Sequence, residues 1–153
     1  MAKRSIQVGL SALRSLLAGR GDFYSPGDTL PSTKGTYIIV FRLADTVNAK
    51  AKDGFTKLKP GVYAYVGSAF GPGGLRARIF RHWRRQKKRH WHIDWVTISD
   101  HCQHVGVFVF PNERIESDLS AILEKQFAPV PGFGASDSPE DSHLFILSGD
   151  DAS

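Results

Sequence analysis

The chain has 153 residues, of which 41% are hydrophobic, 11% aromatic and 23% charged, as in an ordinary globular domain. This length predicts one domain, with a core large enough to need no covalent cross-links. The single cysteine, Cys102, excludes an internal disulfide, and no run of about 18 apolar residues predicts a membrane-spanning helix. We therefore expect a protein of a reducing compartment that does not enter the membrane.

The net charge of +5 is distributed unevenly. No acidic residue lies between Asp53 and Asp94, whereas half of the 20 Lys and Arg residues do. These cations are Lys57, Lys59, Arg76, Arg78, Arg81, Arg84, Arg85, Lys87, Lys88 and Arg89. A stretch of one sign favours a polyanionic partner such as nucleic acid over a surface that is merely solvated.

The first predicted element is an amphipathic helix within residues 1–21. Its apolar side chains recur at helical spacing, at Ile6, Leu10, Leu13 and Leu17. Because no acid precedes Asp22, a targeting peptide is one interpretation. The regular stripe and the glycines that follow it favour a helix docked on the domain.

The next predicted elements form a hairpin. Residues 22–34 are expected to be loop, and the β-branched and aromatic run 35–43 is the clearest strand. Residues 44–60 read as a polar connection to a second strand at 62–67.

The remaining elements alternate helices and strands. They are a helix at 74–88, strands at 92–98 and 105–110, a helix at 114–127, a loop at 128–142, and a short strand at 143–147. The order predicts an α+β domain over residues 22–148, with a small, mostly antiparallel, three-stranded sheet plus short extra strands, flanked by helices. The acidic tail 149–153 is expected to be disordered.

Each hairpin strand carries a tyrosine, Tyr37 near the start of the first and Tyr65 near the end of the second. Both could simply be half-buried aromatics of the sheet. A free phenol has a pKa of about 10. Clustered arginines or a bound cation would favour the phenolate and make a usable base.

The predicted basic helix presents Arg78 and His82 on one face, four residues apart. One arginine near the glycine turn could stabilise charge on a phosphoryl transition state, and the others could hold phosphates or be solvated. Trp91, between two histidines, could pack in the core or stack on an unpaired base.

Few residues are candidates for binding a metal ion. The cluster of His101, Cys102 and His104 lacks the second cysteine pair of a structural zinc site. A hard cation such as Mg²⁺ needs only one or two carboxylates plus substrate phosphate. The predicted late helix offers carboxylates at Glu116, Asp118 and Glu124, although the first two could simply favour its N-terminus.

Several of these residues stand in an order that resembles the GIY-YIG nuclease superfamily. The matching positions are the tripeptides 35–37 and 65–67, followed by Arg78 and His82. Segments 61–69, 90–94, 130–137 and 142–145 resemble a subfamily of small GIY-YIG domains, some of which stand alone and some of which are fused to DNA-repair modules. The resemblance covers roughly residues 32–147.

The resemblance implies phosphodiester hydrolysis in DNA. Tyr65 would act as general base, Tyr37 would orient water, and Arg78 would stabilise the pentacovalent phosphate, with His82 also in the catalytic set. Glu116, or alternatively Glu124, would hold one Mg²⁺ or Mn²⁺ per site.

Other positions would line the site or hold DNA. The site-lining set comprises Gly35, Gly67, Ser68, His92, Asp94 and His143; many members carry lysine or glutamine where this chain has Ser68. The DNA-holding set comprises Arg76, Arg81, Arg84, Arg85, Lys87, Lys88 and Arg89.

Three functions stay open at this point. The favoured one is a divalent-metal-dependent DNA endonuclease in repair, recombination or processing of branched DNA, cytoplasmic and associated with the nucleoid if the source is bacterial. The second is a weakly active or inactive nucleic-acid-binding module that uses the same basic face. The third is an RNA-directed nuclease or binder. A separate targeting protein is also conceivable for so small a domain.

Overall fold

A computed structural model describes residues 2–52, 54–133 and 142–149. Its helices are α1 (Ala2–Leu17), α2 (Gly74–Trp83), α3 (Asp94–Thr97) and α4 (Glu116–Glu124). Its strands are β1 (Asp22–Tyr24), β2 (Gly35–Leu43), β3 (Val47–Ala51), β4 (Gly54–Leu58), β5 (Gly61–Ala69), β6 (Cys102–Pro111), β7 (Ala128–Pro129) and β8 (Leu144–Gly149).

The main sheet is antiparallel and has the order β1-β6-β2-β5-β8-β7. The predicted hairpin of β2 and β5 is confirmed, with Gly35 opposite Ala69 and Leu43 opposite Gly61. The predicted α+β class, with a mostly antiparallel sheet flanked by helices, is therefore confirmed. The predicted three strands correspond to β2, β5 and β6, and the short strands β1, β7 and β8 extend the sheet to six.

Alternating side chains divide the sheet into two packed faces. The α1/α4 face has a core that includes Leu13, Ile38, Val40, Val66, Phe108, Leu119 and Phe145. The α2/α3 face packs against α2, α3 and the β3–β4 hairpin, through residues such as Ile39, Phe41, Tyr63, Leu75, Ile93 and Val109. The candidate site lies on the α2/α3 face and at the sheet edge beside it.

Two predicted elements are wrong. Residues 92–98 are not a strand, because Asp94 accepts hydrogen bonds from the backbone N–H groups of His90 and Trp91 and the chain turns into helix α3. Residues 44–60 are not merely a connection but contain the β3–β4 hairpin. Its inward positions are small, at Ala49 and Ala51, which weakened the apolar alternation.

Other boundaries shift. Helix α2 ends at Trp83 rather than at 88, because Arg84 is extended and Lys87 Nζ donates hydrogen bonds to the backbone carbonyls of Arg81 and His82. Strand β1 lies in the predicted loop 22–34, and β8 continues to Gly149. The rest of the predicted disordered tail, 150–153, and the loop residues 134–141 lie outside the described residues.

Helix α1 packs on the sheet through Leu13 and Leu17. It approaches strand β8 closely: a Cβ at Gly9 would lie 3.2 Å from Leu147 Cβ, and Ser148 Oγ donates a 2.7 Å hydrogen bond to the carbonyl of Ser5. The apolar side of α1 is therefore packed against the sheet. Among the residues described, no helix has the length and apolar character to cross a membrane.

Candidate active site

Tyr37 and Tyr65 lie on adjacent strands and on the same face of the sheet. Tyr37 is opposite Gly67, and Tyr65 is opposite Ile39, so the two phenols are diagonal neighbours. A Cβ at Gly67 would overlap the Tyr37 ring and hydroxyl. The glycine of the second tripeptide therefore makes the space in which the tyrosine of the first one lies.

His82 fixes the position of Tyr37. Its Nε2 atom lies 2.6 Å from Tyr37 Oη, and its ring also contacts the rings of Tyr65 and Trp91. Burial, followed by the nearby charge of Lys87, lowers the pKa of His82 to about 3. The imidazole is therefore neutral and buried, which makes it a positioning residue for the two tyrosines.

The pKa values of both phenols are raised, which favours the neutral phenol over the phenolate. Burial raises the pKa of Tyr65, with further increases from the carboxylates of Glu116 and Asp94, and Arg78 lowers it less. Burial likewise raises the pKa of Tyr37. Arg78 lowers the pKa of both phenols, as expected of a nearby arginine, but burial outweighs it, so the net shift is upward.

Arg78 lies at the entrance to the site. Its Nη1 donates a 3.2 Å hydrogen bond to the carbonyl of Ser68, and its guanidinium lies 4.6 Å from the centre of the Trp91 ring. It lines an open cleft of about 240 Å³. The other lining residues are Ala69, Gly71, Pro72, Gly74, Ala77, Arg81 and Trp91. A cleft with two guanidiniums suits a phosphate.

Asp94 organises one wall of this cleft. Its buried carboxylate accepts hydrogen bonds of 2.9 and 3.0 Å from Arg81 as well as those from His90 and Trp91. Burial raises the pKa of Asp94, but these hydrogen bonds outweigh burial and hold the pKa below its usual value. The predicted site-lining role of Asp94 thus takes the form of a fixed charge. His92, in contrast, is directed to the carbonyl of Gly132, 3.1 Å from its Nδ1.

Glu116 enters from the first turn of α4. Its Oε2 accepts a 2.6 Å hydrogen bond from Ser68 Oγ, and its Oε1 lies 2.9 Å from Nδ1 of the buried His143. Burial raises its pKa, but the hydrogen bonds from His143 and Ser68 and the charge of Arg78 outweigh burial, so the net shift is downward. The side chain is an ionised carboxylate that stays 28% exposed.

The end of β5 brings the two faces of the sheet together. In the described part of the chain, β8 pairs with β5 only as far as Tyr65, and one more hydrogen bond joins Val66 N to the carbonyl of His143. By strand alternation Ser68 faces α4, as Val66 does, so Glu116 reaches Ser68 on the α1/α4 face, while Tyr65 lies on the other face. Glu124 is exposed at the opposite end of α4, roughly 12 Å along the helix axis.

The donor set fits a hard divalent cation. Glu116 supplies an ionised, part-exposed carboxylate, and Ser68 places a hydroxyl beside it. Across residues 2–52, 54–133 and 142–149 there is no cluster of three or more His, Cys, Asp or Glu side chains that could bind a metal. A cation here would depend on Glu116, water and substrate phosphate, which is the kind of site that Mg²⁺ uses.

The cations predicted to hold DNA have different environments. Arg76 donates to the carbonyl of Leu30, Arg85 donates to those of Ser99 and Cys102, and Lys87 caps helix α2. These side chains, like Arg81, support the structure in addition to any contact with DNA. Arg84 and Lys88 are exposed, and Arg89 lies on the ring of Trp95.

The first N–H groups of helix α2, which follow the glycine turn, are bonded within the chain. The N–H groups of Leu75 and Arg76 donate to the carbonyls of Thr33 and Pro31. Gly74 has a φ of 58°, and a Cβ there would overlap the carbonyl of Ser32. Gly35 is equally confined, against the carbonyl of Phe110. Both glycines are required for close backbone packing.

Sequence reasoning missed two contributions. The Trp91 ring contacts the guanidiniums of both Arg78 and Arg81, at 4.6 and 4.3 Å, in addition to any stacking on a base. Arg114, 3.8 Å from the centre of the Phe70 ring, was not considered. Its place two residues before Glu116 was the only available signal.

Comparison with known proteins gives one match. No curated protein and no solved structure matches the chain. A family model matches residues 36–152, which contain β5, α2, α4 and all of β2 except Gly35. The chain belongs to the family described as Domain of unknown function DUF123.

Proposed function

We propose that the protein is a divalent-metal-dependent DNA endonuclease of the GIY-YIG type. The observation that carries this proposal is the convergence of Tyr37, Tyr65, Arg78 and Glu116, from four different elements, at one end of β5. Their electrostatic coupling supports it: Tyr65, Arg78 and Glu116 all act on the pKa of Tyr37. Phenols, a guanidinium and one ionised carboxylate beside a basic cleft suit phosphodiester hydrolysis.

Each side chain then has a distinct task. Arg78 binds a non-bridging oxygen of the scissile phosphate and stabilises the charge that develops there. Tyr37, fixed by His82, orients the attacking water, and Tyr65, once ionised to the phenolate, accepts a proton from that water. Ser68 and His143 hold the Glu116 carboxylate in place.

Glu116, assisted by Ser68, would hold one Mg²⁺ or Mn²⁺. When bound, such an ion supplies Lewis-acid polarisation of the phosphate and stabilises the leaving 3′ oxygen. Burial and then the Glu116 carboxylate raise the pKa of Tyr65, so a cation held by Glu116 would offset the second of these causes. The phenolate of Tyr65 would then be easier to form.

The basic surface around the cleft supports a nucleic-acid substrate. Exposed cations at Arg84, Lys88 and Arg89 lie beyond the cleft and are suited to phosphates on either side of the cut. We propose a cytoplasmic role in repair, recombination or processing of branched DNA, associated with the nucleoid if the source is bacterial. A separate targeting protein would supply further selectivity.

The direct test is cleavage of plasmid, flapped, forked and single-stranded DNA in Mg²⁺ or Mn²⁺. Wild type should cleave at least one of them, and Arg78→Ala should lose about 10²–10³-fold in rate. Tyr65→Phe should lose a similar factor. Equal cleavage by wild type and both variants would contradict the assigned residues. Binding that falls steeply with salt, without any cleavage, would instead support the binding-module alternative.

Glu116 has a matched control on its own helix. Glu116→Gln removes the charge at the site, whereas Glu124→Gln removes one at the exposed far end of α4. Only Glu116→Gln should abolish cleavage and calorimetric Mn²⁺ binding. Loss of both with Glu124→Gln instead would reassign the ligand.

A further inference from the structure

The outer face of the β3–β4 hairpin carries a large exposed ring. Alternation along β3 and β4 turns four side chains outward, Asn48, Lys50, Phe55 and Lys57. Phe55 lies directly across from Lys50 and is 68% exposed, although the inner side of the hairpin already packs on the core. The ring therefore contributes little to folding, and both lysines flank it.

Phe55 is part of a larger arrangement. The edge of the Trp95 ring contacts it, with ring centroids 5.6 Å apart and an interplanar angle of 89°. The guanidinium of Arg89 lies 4.3 Å from the centre of that Trp95 ring. An aromatic pair thus joins the hairpin to α3, with cations on both sides.

The same pattern continues into the cleft. His90, next to Arg89 in the chain, contacts the Trp91 ring at 4.9 Å, and Trp91 in turn contacts Arg78. The Asp94 carboxylate fixes the backbone of both His90 and Trp91. Two pairs of rings, each beside an arginine, therefore lie between the cleft and the hairpin, and we call this series the aromatic row. Its members are Arg78, Trp91, His90, Arg89, Trp95 and Phe55.

We propose that the aromatic row binds an unpaired DNA strand that leads away from the phosphate in the cleft. This inference rests on the proposed function for the identity of the polymer. Aromatic rings that stack on bases, combined with cations that follow the backbone, are how proteins bind single strands without sequence preference. Phe55 offers a base its exposed ring, while Lys50 and Lys57 are suited to phosphates.

The aromatic row implies selectivity for single-stranded over double-stranded DNA. In a duplex the bases are stacked on each other and cannot reach Phe55, whereas a flap or a splayed arm presents them freely. The preferred substrate class is therefore DNA with a single-stranded segment next to the cleavage point. Blunt duplex binds only through the cations.

The test is a titration of the full chain in EDTA with labelled oligothymidine and with a blunt duplex, followed by fluorescence anisotropy. Phe55→Ala should weaken oligothymidine binding about 10-fold and leave duplex binding unchanged. Phe55→Trp, which keeps a ring, should retain wild-type affinity. The control is Val8→Ala, at a 54% exposed apolar side chain on α1, which should change neither affinity.

Charge reversal gives a second readout. Lys50→Glu with Lys57→Glu should weaken oligothymidine binding more than Lys3→Glu, on the opposite face of the sheet, does. The proposal is overturned by no effect of Phe55→Ala, by equal loss for both ligands, or by absent oligothymidine binding in wild type. Tighter binding of oligouridine than of oligothymidine overturns the assignment to DNA.

The two proposals fail separately. Binding in EDTA needs no metal, so the titration does not depend on whether the protein cleaves DNA. If Phe55→Ala selectively loses oligothymidine binding while wild type cleaves no DNA, the result would support the aromatic row and reject the nuclease. Cleavage that depends on Arg78, with no effect of Phe55→Ala on binding, would reject the row alone.

Discussion

The two faces of the sheet differ in what holds them together. The α1/α4 face is closed by aliphatic and aromatic side chains such as Leu13 and Phe108. The α2/α3 face includes buried polar partners: Tyr37 with His82, and Asp94 with Arg81. Neighbouring residues of one strand contribute to each, since Ile38 faces α1 and α4 while Tyr37 faces α2.

The difference teaches that strand alternation places most polar groups of the candidate site on the α2/α3 face, whereas Glu116 enters from α4. Truncating an apolar side chain on the α1/α4 face reduces the apolar area buried on folding but leaves the polar groups of the α2/α3 face in place. A change on the α2/α3 face removes one member of a polar pair and leaves the other desolvated. Variants on the two faces should therefore separate loss of folding from loss of activity.

The largest effect is expected at Asp94. Asp94→Asn removes a buried charge that accepts hydrogen bonds from Arg81, His90 and Trp91, so we expect a loss of about 3–5 kcal/mol in unfolding free energy. Urea unfolding measures it, with Asp100→Asn as the control at an exposed aspartate nearby. A smaller loss of unfolding free energy for Asp94→Asn than for Leu13→Ala would contradict this contrast between the two faces. The buried ion pair would then contribute less to stability than apolar packing.

Leu13→Ala tests the α1/α4 face. The side chain is fully buried, so truncation should cost about 2–5 kcal/mol, with Val8→Ala on the same helix as a nearly neutral control. Cleavage per folded molecule should stay at the wild-type rate, because Leu13 touches no group of the site. Reduced turnover in a fully folded sample would show that the faces are coupled.

The pH dependence of stability should come from the α2/α3 face. His82 has a pKa of about 3 when folded, against 6.5 as its ordinary value, so the unfolded chain binds a proton that the folded one does not. Stability should therefore fall as the pH drops below about 6.5. His104, with a pKa lowered to about 4, acts in the same direction.

His82→Gln should flatten this dependence in part. Unfolding free energies measured between about pH 7 and pH 5, where carboxyl groups remain ionised, isolate the histidines. An unchanged slope in the variant would mean that His82 is not the buried neutral group described above.

The smallest effect compares adjacent residues. Tyr37→Phe removes the hydrogen bond to His82 and should cost about 1 kcal/mol, similar to Ile38→Val on the other face. Only Tyr37→Phe should also slow cleavage, because Ile38 lies away from the cleft. Single-turnover cleavage rates of the two variants, corrected for the folded fraction, measure this difference. Equal rates would contradict the separate roles of Tyr37 and Ile38.

Much of the fold was predictable because its strongest signals are local. The limits of β2 agree with the prediction, since a dense β-branched and aromatic run begins at Gly35. Helix α3 was missed because residues 92–98 alternate like a strand, while the hydrogen bonds that turn the chain depend on a single carboxylate, Asp94. The β3–β4 hairpin was missed because Ala49 and Ala51 give weak apolar alternation.

The grouping of the candidate residues was more predictable than their electrostatics. The structure brings Tyr37, Tyr65, Arg78 and Glu116 to one end of β5, while the roles that the resemblance implies for them stay predictions. The direction of the tyrosine pKa shifts could not follow from the number of nearby arginines, because it depends on how deeply each phenol is buried. Likewise, no sequence pattern showed that Trp91 lies against Arg78.

Strand β8 has a consequence for the order of assembly. It pairs with β5, holds α1 through Ser148, and is preceded by His143, the partner of Glu116. During synthesis, the segment 142–149 leaves the ribosome after every other described part of the chain. A nascent chain can thus present Arg78 and its basic helix before Glu116 has its histidine. For the proposed nuclease, this delays cutting until β8 has docked, whereas binding of DNA can precede it.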